Sequence, residues 1–345
     1  MDHATFAERM IAWQADSGRN ALPWQQPATP YRVWISEIML QQTQVTTVIP
    51  YFERFMAQFP GLPELAKAET ESVLGLWSGL GYYARARHLH ACARALMALH
   101  EGRFPASIDA LMALPGIGRS TAGAILSLGM GLRAPILDGN VRRVLTRFAG
   151  IDGWPGRLSV QNQLWALSDT LTPAHHPDRF NQAMMDLGAM ICRPRQPLCE
   201  ACPVAAGCWA RRHGCQTALP SPRPSRSLPT RQALLLMVYD ESGAVFLEKR
   251  PAQGIWGGLW SLPEFKDLRD LDARLDIESA HDPDLEVLER QRHTFSHFHL
   301  DFQPVLLRRK IQEQHLPPGI WHRDLVGLAL PAPIRRLLQR IGETP

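Results

Sequence analysis

Four cysteines fall within 17 residues, Cys192, Cys199, Cys202 and Cys208, in the spacing C-x6-C-x2-C-x5-C. Disulfide frameworks are improbable in a large reduced chain. Structural zinc sites mostly use two separated close pairs. Here one close pair is flanked by two single cysteines in a compact loop. Four thiolates so arranged suit an iron–sulfur cluster, with zinc as the alternative. Arg193 and Arg195 sit inside the loop. Ligation would hold the loop rigid and present both guanidiniums to phosphate; ordinary solvated arginines are the bland reading. Cys92 lies in a helical pattern and reads as a buried small hydrophobe, and Cys215 stands apart.

Two further stretches carry chemistry. "LPGIGRSTAGAIL" (114–126) sets Gly116 and Gly118 between two helical runs. Glycines there let the backbone turn tightly and bring bare N–H groups to the start of the next helix, a geometry that binds phosphate. The pattern is that of a helix-hairpin-helix gripping a DNA backbone without reading sequence, and Ala122, Gly123 and Ala124 allow its second helix to pack closely. "ILDGNV" (136–141) places Asp138 in an Asp-Gly turn signal. Asp138 either only turns the chain or is a carboxylate placed for chemistry. A helix over 119–130 spans roughly 18 Å at about 1.5 Å per residue, enough to return Asp138 toward a strand held by the hairpin.

The elements that must position these residues follow from patterning. Trp34, Ile38, Val45, Val48 and Phe52 form one stripe at helical spacing, and Leu89, Ala93, Leu96 and Leu99 another. Residues 1–217 read as nearly all helix. "TALPSPRPSRSLPT" (217–230) reads as an extended linker. Beyond it, "QALLLMVYD" and "GAVFLEKR" flank Glu241-Ser242-Gly243 as a hairpin-like pair, "HTFSHFHLDFQPVLLRR" alternates as strand, and "APIRRLLQRI" reads as a short helix, so this part is α+β. The chain's 345 residues carry a net charge of +4. Residues 1–217 hold 20 basic and 16 acidic residues, whereas 231–345 hold 15 and 17. Polyanion binding is thus more plausible for the first part. No apolar run is long enough to span a membrane, and the polar, acidic start carries no secretory pattern. The expectation is a reduced cytoplasmic protein.

"LPW" (22–24), "VWISEIMLQQTQV" (33–45), "GLGYYARAR" (79–87), "PGIGRSTAGAI" (115–125), "ILDGNVRRVL" (136–145), the cysteine quartet and "HTFSHFHL" (293–300) occur in that order. Together they resemble the endonuclease III superfamily of DNA glycosylases. Within it the chain is most similar to the MutY family, adenine glycosylases that act on adenine mispaired with 8-oxoguanine. The resemblance covers essentially the full length. It implies a multidomain fold: an all-α helix-hairpin-helix glycosylase with an iron–sulfur cluster domain, then an α+β MutT (Nudix)-like domain. The implied boundaries are a helical catalytic domain over 1–216, with a six-helix barrel at about 28–130 and a cluster subdomain of 1–27 plus 131–216. The linker 217–230 and a lesion-recognition domain over 231–345 follow.

The resemblance also implies roles. Cutting an adenine–deoxyribose bond develops oxocarbenium charge on the sugar and needs a proton on the leaving base, so two carboxyl groups in different environments serve it. Glu37, beside Trp34 and Ile38, is the expected acid, placed by the family at N7 of adenine. Asp138 stabilises the oxocarbenium or attacks it. Asn140 and Arg143 orient Asp138 or hold phosphate. Leu22, Trp24 and Tyr83 line the adenine pocket. Asp186 matches a position that usually holds Glu and contacts the flipped base. The target base must leave the stack, and Gln42 and Tyr82 match residues that wedge into the helix. Ser120 stands where bifunctional relatives carry a Schiff-base lysine, so a monofunctional enzyme leaving an abasic site is expected. Phe295, Ser296 and His297 match the loop that recognises 8-oxoguanine. The segment after "GIWGGLWSLPEF" lacks the glutamate pattern R-E-x2-E-E of a working Nudix hydrolase, so the domain is expected to bind rather than hydrolyse. The implied cofactor is one [4Fe-4S] cluster. The implied partner is double-stranded DNA containing A opposite 8-oxoguanine or G, met by a monomer in the cytoplasm at the nucleoid, with no membrane. The rival readings are a non-catalytic DNA-binding iron–sulfur protein, disfavoured by Glu37 together with Asp138, a nucleotide hydrolase, disfavoured by the missing glutamates, and a pyrimidine-lesion lyase, disfavoured by Ser120.

Overall fold

Helix starts in this chain are fixed by short polar side chains. Asp2 accepts the Thr5 N–H at 2.8 Å and opens α1 (His3–Ser17). Along the chain follow α2 (Pro30–Leu40), α3 (Val45–Gln58), α4 (Leu62–Lys67), α5 (Thr70–Leu76), α6 (Ala84–Leu99), α7 (Ile108–Met112), α8 (Arg119–Ala124), α9 (Gly139–Ala149), α10 (Leu158–Leu171), α11 (Pro177–Asp186) and α12 (Trp209–Arg212). The structure, a computed structural model, describes residues 2–342 except 225–226, 278, 280–281, 309–310 and 312–314. It divides into two units: Met1–Ala68 with Arg87–Ser225, and Glu69–Ala86 with Arg226–Pro345.

The first unit is helical. Phe6 and Met10 of α1, Val141 and Leu145 of α9, Leu164 of α10, and Phe180 and Met184 of α11 share one buried core. A smaller core joins Val33, Ala124 and Ile136. Close packing explains the small residues after the hairpin. A Cβ on Gly123 would lie 2.2 Å from the Pro135 carbonyl oxygen, and one on Gly129 would lie 2.8 Å from Pro30 Cα. Helices α8 and α11 each continue into a π-helical turn, Ile125–Gly129 and Leu187–Ile191. Such turns often adjoin functional sites. The expected stripe from Trp34 to Phe52 is split between α2 and α3. In α6, Leu89, Ala93 and Leu96 are buried, but Leu99 is 74% exposed.

The second unit is built on β1 (Thr230–Val238), β2 (Val245–Lys249), β3 (Trp260–Ser261), β4 (Glu264–Phe265), α13 (Leu268–Leu275), β5 (Leu285–Val287), β6 (Gln291–Thr294), β7 (His299–Leu307), β8 (Ile320–His322) and α14 (Ala332–Gly342). One sheet runs β4-β1-β7-β5, with β6 also on β7; a second runs β3-β2-β8. β1 and β7 are parallel, Thr230 opposite His299 through Val238 opposite Leu307. Two expectations change here. β1 and β2 are joined by a turn, with the Asp240 N–H on the Ala244 carbonyl and the antiparallel bridge Tyr239–Val245, but among the described residues this does not extend into a ladder, since β1 pairs with β4 on one edge and β7 on the other. The stretch from His293 is likewise not one strand. It turns at 295–298, where the Phe295 N–H donates to the Phe298 carbonyl at 2.9 Å, and returns antiparallel.

The segment Glu69–Ala86, part of the expected 1–216 helical domain, groups by its contacts with the second unit. The reason is local bonding. Glu71 accepts from the Trp260 indole N–H and from Lys249, and Ser78 accepts from Arg335. The expected 217–230 boundary is also softened at its start, since Leu219 accepts from buried Arg147 and Ser221 donates to Asp152.

Candidate active site

α2 sets up Glu37. Thr29 Oγ1 accepts the Arg32 N–H at 3.3 Å, and Pro30 presets the first turn. Tyr31, Val33, Trp34, Ile35, Ser36, Ile38 and Met39 of α2 are buried. Glu37 lies half-buried on the same helix and lines a cleft of about 1040 Å³. Burial pushes its carboxyl up to about 8, reinforced by the charge of Asp138.

Asp138 lines the same cleft. It is the N-cap of α9 rather than the corner of a hairpin turn. Its Oδ1 accepts the Val141 N–H at 2.7 Å, and its Oδ2 accepts from Asn140 Nδ2 at 3.2 Å. Burial raises its pKa; the Val141 and Asn140 bonds and the Arg143 cation oppose the rise. Ser120 Oγ accepts the Leu137 N–H at 3.1 Å, so this serine holds the backbone immediately before Asp138. Arg143 extends the arrangement. It donates to Asn140 Oδ1 at 2.9 Å, to the Gly188 carbonyl at 2.6 Å and to the Cys192 carbonyl at 2.7 Å.

The cleft lining brings Leu22, Trp24, Gln42, Ser120 and Asn140 together with Glu37 and Asp138. Trp24 is buried edge-on against Phe52, with ring centroids 5.4 Å apart. Gln42, just past the end of α2, is exposed with φ of 58°. Asp186 is placed differently from its expectation. It is fully buried and absent from the lining, and one methylene shorter than glutamate it is taken up by other groups. Arg19 donates to it from the backbone N–H at 2.9 Å and from Nε at 2.7 Å, and Gln182 donates at 2.9 Å. Arg19 and Gln182 themselves line the cleft, as do Arg142 and Arg179, which sequence reasoning missed. Tyr82 and Tyr83 belong to the second unit. There the Tyr83 O–H donates to the Leu330 carbonyl at 3.0 Å, and Tyr82 is half exposed with φ of 51°.

The hairpin glycines have separate duties. Gly116 has φ of 76°, and a Cβ there would meet His88 Cβ at 2.6 Å. Gly118 caps α8 with φ of −91°, and a Cβ there would meet open space. Gly116 is therefore required by the backbone, whereas Gly118 leaves the α8 N-terminus bare.

The four cysteines line one small cavity with Arg147 and Gln216. Burial, reinforced by its three neighbours in the quartet, pushes Cys202 up to about 12; burial likewise raises Cys208. Thiols that oppose one another's ionisation need a cationic group to hold them as thiolates. The donor set fits an iron–sulfur cluster. Among the described residues no three His, Cys, Asp or Glu side chains close on a single metal ion. Arg147, unanticipated from sequence, is 2% exposed. It donates to the carbonyls of Cys192 (3.3 Å), Arg193 (2.7 Å), Pro194 (3.0 Å) and Leu219 (2.9 Å), and approaches Cys192 Sγ at 3.4 Å. Its signal was the Arg143/Arg147 spacing on α9, which places both on one face. The loop outside this bracing leaves Arg195 exposed and Arg193 half-buried.

In the second unit, Ser296 and His297 are exposed at the β6–β7 turn. Phe295 is stacked on Phe298 at 4.6 Å and meets His293 edge-on at 4.6 Å. The acids around α13 serve turns: Asp267 caps the helix, and Asp272 accepts from Ser279.

Residues 35–169 match the family described as HhH-GPD superfamily base excision DNA repair protein, and residues 234–340 match the NUDIX domain. The chain is 37% identical over 341 residues to the adenine DNA glycosylase of Buchnera aphidicola subsp. Acyrthosiphon pisum (strain APS), covering 97% of each chain. It is 34% identical to the adenine DNA glycosylase of Homo sapiens, covering 91% of this chain and 69% of that one. Among solved structures it is similar to a thermostable thymine-DNA glycosylase, with 28% identity and a TM-score of 0.55 over 61% of this chain and 97% of that one. An endonuclease III–DNA complex, at 21% identity and a TM-score of 0.52 over 62% of this chain and 98% of the other, shares the fold.

Two substitutions separate conformation from approach at the hairpin. Gly116→Ser is expected to lower thermal stability by about 1–3 kcal/mol through strain and the His88 contact. Gly118→Ser keeps a capping residue and should melt near the parent while binding duplex DNA more weakly. Thermal melts alongside duplex affinities check the pair; equal melting losses would remove the distinction.

Proposed function

The chain belongs to the adenine DNA glycosylase family of HhH-GPD base excision repair proteins, and from that membership we propose which residues do the work and which mismatch they serve. It removes adenine from DNA. The proposed substrate is adenine opposite 8-oxoguanine or G in double-stranded DNA. Glu37 is the acid that protonates the leaving base, because its carboxyl, raised to about 8, keeps its proton at neutral pH. Asp138 is the carboxylate facing the sugar as positive charge develops there. Asn140 and Arg143 orient it, and Ser120 fixes the backbone behind it. The observation that carries this reading is the presence of Glu37 and Asp138 in one cleft in unlike surroundings.

Leu22 and Trp24 then wall the adenine, and Tyr83 and Asp186 keep their family roles only on rearrangement of the hydrogen bonds they make here. Gln42 and Tyr82 fill the gap left by the extruded base. Gly116, Gly118, Arg193 and Arg195 hold backbone phosphate. Phe295, Ser296 and His297 read 8-oxoguanine, and the domain carrying them binds rather than hydrolyses. The cofactor is one [4Fe-4S] cluster on Cys192, Cys199, Cys202 and Cys208, which when bound holds the four thiolates and stiffens the loop between them. A monomer acting on cytoplasmic DNA completes the proposal; no helix among the described residues is long and apolar enough to cross a membrane.

Single-turnover excision on duplexes with A opposite 8-oxoguanine, G or T tests the mismatch, and alkali treatment tests the chemistry. Release fastest opposite 8-oxoguanine, with strand breaks only after alkali, is expected; breaks without alkali would sink the monofunctional reading. Glu37 must be protonated and Asp138 ionised to act, so the rate should hold near neutral pH, fall about tenfold per pH unit above pH 8, and fall again on the acid side as Asp138, its pKa raised by burial, takes up a proton. Glu37→Gln should lose roughly 10²–10⁴-fold in rate together with that alkaline limb.

Asparagine caps helices as well as aspartate does, so Asp138→Asn should melt within about 1 kcal/mol of the parent while losing most excision. Equal loss of folding and activity would return Asp138 to a purely capping role.

A further inference from the structure

The loop Gly79-Leu80-Gly81-Tyr82 is strained. Gly79 has φ of 103°, Gly81 of 73° and Tyr82 of 51°. A non-glycine residue in this region persists only where its surroundings over-determine it. The loop's own carbonyls are held locally, by the Trp77 indole N–H on Gly81 (3.2 Å) and by Arg85 on Leu80 (3.3 Å) and Gly81 (3.1 Å), whereas its flanks are held by the C-terminal half of the chain, within the second unit. Ahead of the loop, Glu71 Oε1 accepts the Trp260 indole N–H at 2.5 Å, and Oε2 accepts from Lys249 at 2.9 Å. A Cβ on Gly75 would lie 2.9 Å from the Gly327 carbonyl oxygen, and Ser78 Oγ accepts from Arg335 at 2.9 Å. Just past the loop, the Tyr83 O–H donates to the Leu330 carbonyl at 3.0 Å.

The receiving side is itself fixed. Arg335 also donates to the Leu328 carbonyl at 2.7 Å, and the Trp260 N–H donates to the Ala329 carbonyl at 3.0 Å. Trp260, Ala329 and Leu330 are buried. These bonds tie the strap 327–331 to β3 and to the loop's flanks at once. The Trp260 and Lys249 bonds hold Glu71 below the usual carboxylate range, as a true ion-pair acceptor.

We propose that the Nudix-like domain sets the backbone of the Tyr82 loop through Glu71, Ser78 and Tyr83, which makes Trp260 and Arg335 positioning residues for base extrusion. The inference rests on the reading of Tyr82 as the wedge. It gives the C-terminal domain a second duty besides lesion reading, exerted through residues remote in sequence from Phe295, Ser296 and His297. Because the tethers grip the loop's flanks and not the lesion, their effect should be the same whether the opposite base is 8-oxoguanine or G.

The test is a double-mutant cycle in the full-length, cluster-loaded protein. Trp260→Phe removes the indole N–H together with part of the ring, and Arg335→Met removes the guanidinium while keeping its stem. Extrusion is followed by the fluorescence of 2-aminopurine replacing the target adenine, with duplex affinity and melting temperature measured alongside. The double variant should extrude the base ~5–10-fold more slowly opposite either partner, with affinity changed less than about threefold. Arg335→Lys should recover part of the loss. In a Tyr82→Leu background the tether substitutions should slow extrusion no further. Unchanged extrusion, or losses that simply multiply with that of Tyr82→Leu, overturns the inference while leaving the wedge reading intact. If Tyr82→Leu alone extrudes at the parental rate, the wedge reading itself falls, and the inference with it. Should the double variant melt early, Trp260→Phe alone carries the same cycle.

Discussion

Burial in a shared cleft pushes Glu37 and Asp138 alike toward the neutral form, and the helical unit is arranged so that only Asp138 is compensated. The difference lies in where each sits on its helix. Glu37 projects from the middle of α2, where the backbone N–H groups are already bonded within the helix. Asp138 stands at the N-terminus of α9, where unpaired N–H groups and the positive end of the helix dipole favour a negative charge. One position raises a carboxyl for proton donation, and the other lowers the cost of keeping a carboxylate. The two proposed roles support one another, since the charge on Asp138 helps keep Glu37 protonated.

Holding Asp138 there takes more than its cap. Ser120 bonds the backbone of Leu137, and Gly123 lets α8 close on Pro135. Behind it, α9 acts as a ruler: Asn140 meets Asp138, Arg143 meets Asn140, and both Arg143 and Arg147 reach the carbonyl of Cys192. A chain of hydrogen bonds thus runs from the cleft carboxylate to the cysteine loop. Arg147 places four of its bonds on main-chain carbonyls, so the loop's path is fixed by a side chain outside it. That division leaves the four thiols free to serve the proposed cluster while the backbone serves the fold.

Much of this was legible in the sequence, and what was not has a physical reason. The cysteine quartet and the hairpin glycines are fixed by residue type at short range, the Glu37/Asp138 pair was legible only through the family resemblance, and the structure gathers Glu37, Asp138, Ser120, Asn140, Leu22, Trp24 and Gln42 at one cleft. Partner choice over long range was not legible. Nothing near "ALLLMV" announces that β1 pairs with β7 some seventy residues on. Nothing in "TESVLGLW" announces that Glu71 will bond Trp260 rather than a helical neighbour. Asp186 illustrates a subtler limit. Arg19, 167 residues earlier in the chain, decides where its carboxylate goes. Arg147 was hidden for the opposite reason, because a buried arginine is improbable until its carbonyl partners are known.

Backbone strain ties the two units to one logic. Gln42 and Tyr82 both occupy left-handed backbone, at a cost on the order of 1–3 kcal/mol each. Glycine at either position would relieve that cost and also erase the side chain proposed as the wedge. A wedge must be stiff as well as long, since a loop that relaxes when pushed against stacked bases does not separate them. The strain is therefore affordable only where neighbouring groups leave the loop no alternative. For Gln42 that role falls to the abrupt end of α2, whose buried face fixes the last turn. For Tyr82 it falls to a network anchored in a domain with a small negative charge, which cannot hold DNA by bulk attraction. Such a domain contributes through shape: an exposed turn at Ser296 and His297 braced by Phe298, and a strap that keeps Tyr82 from yielding.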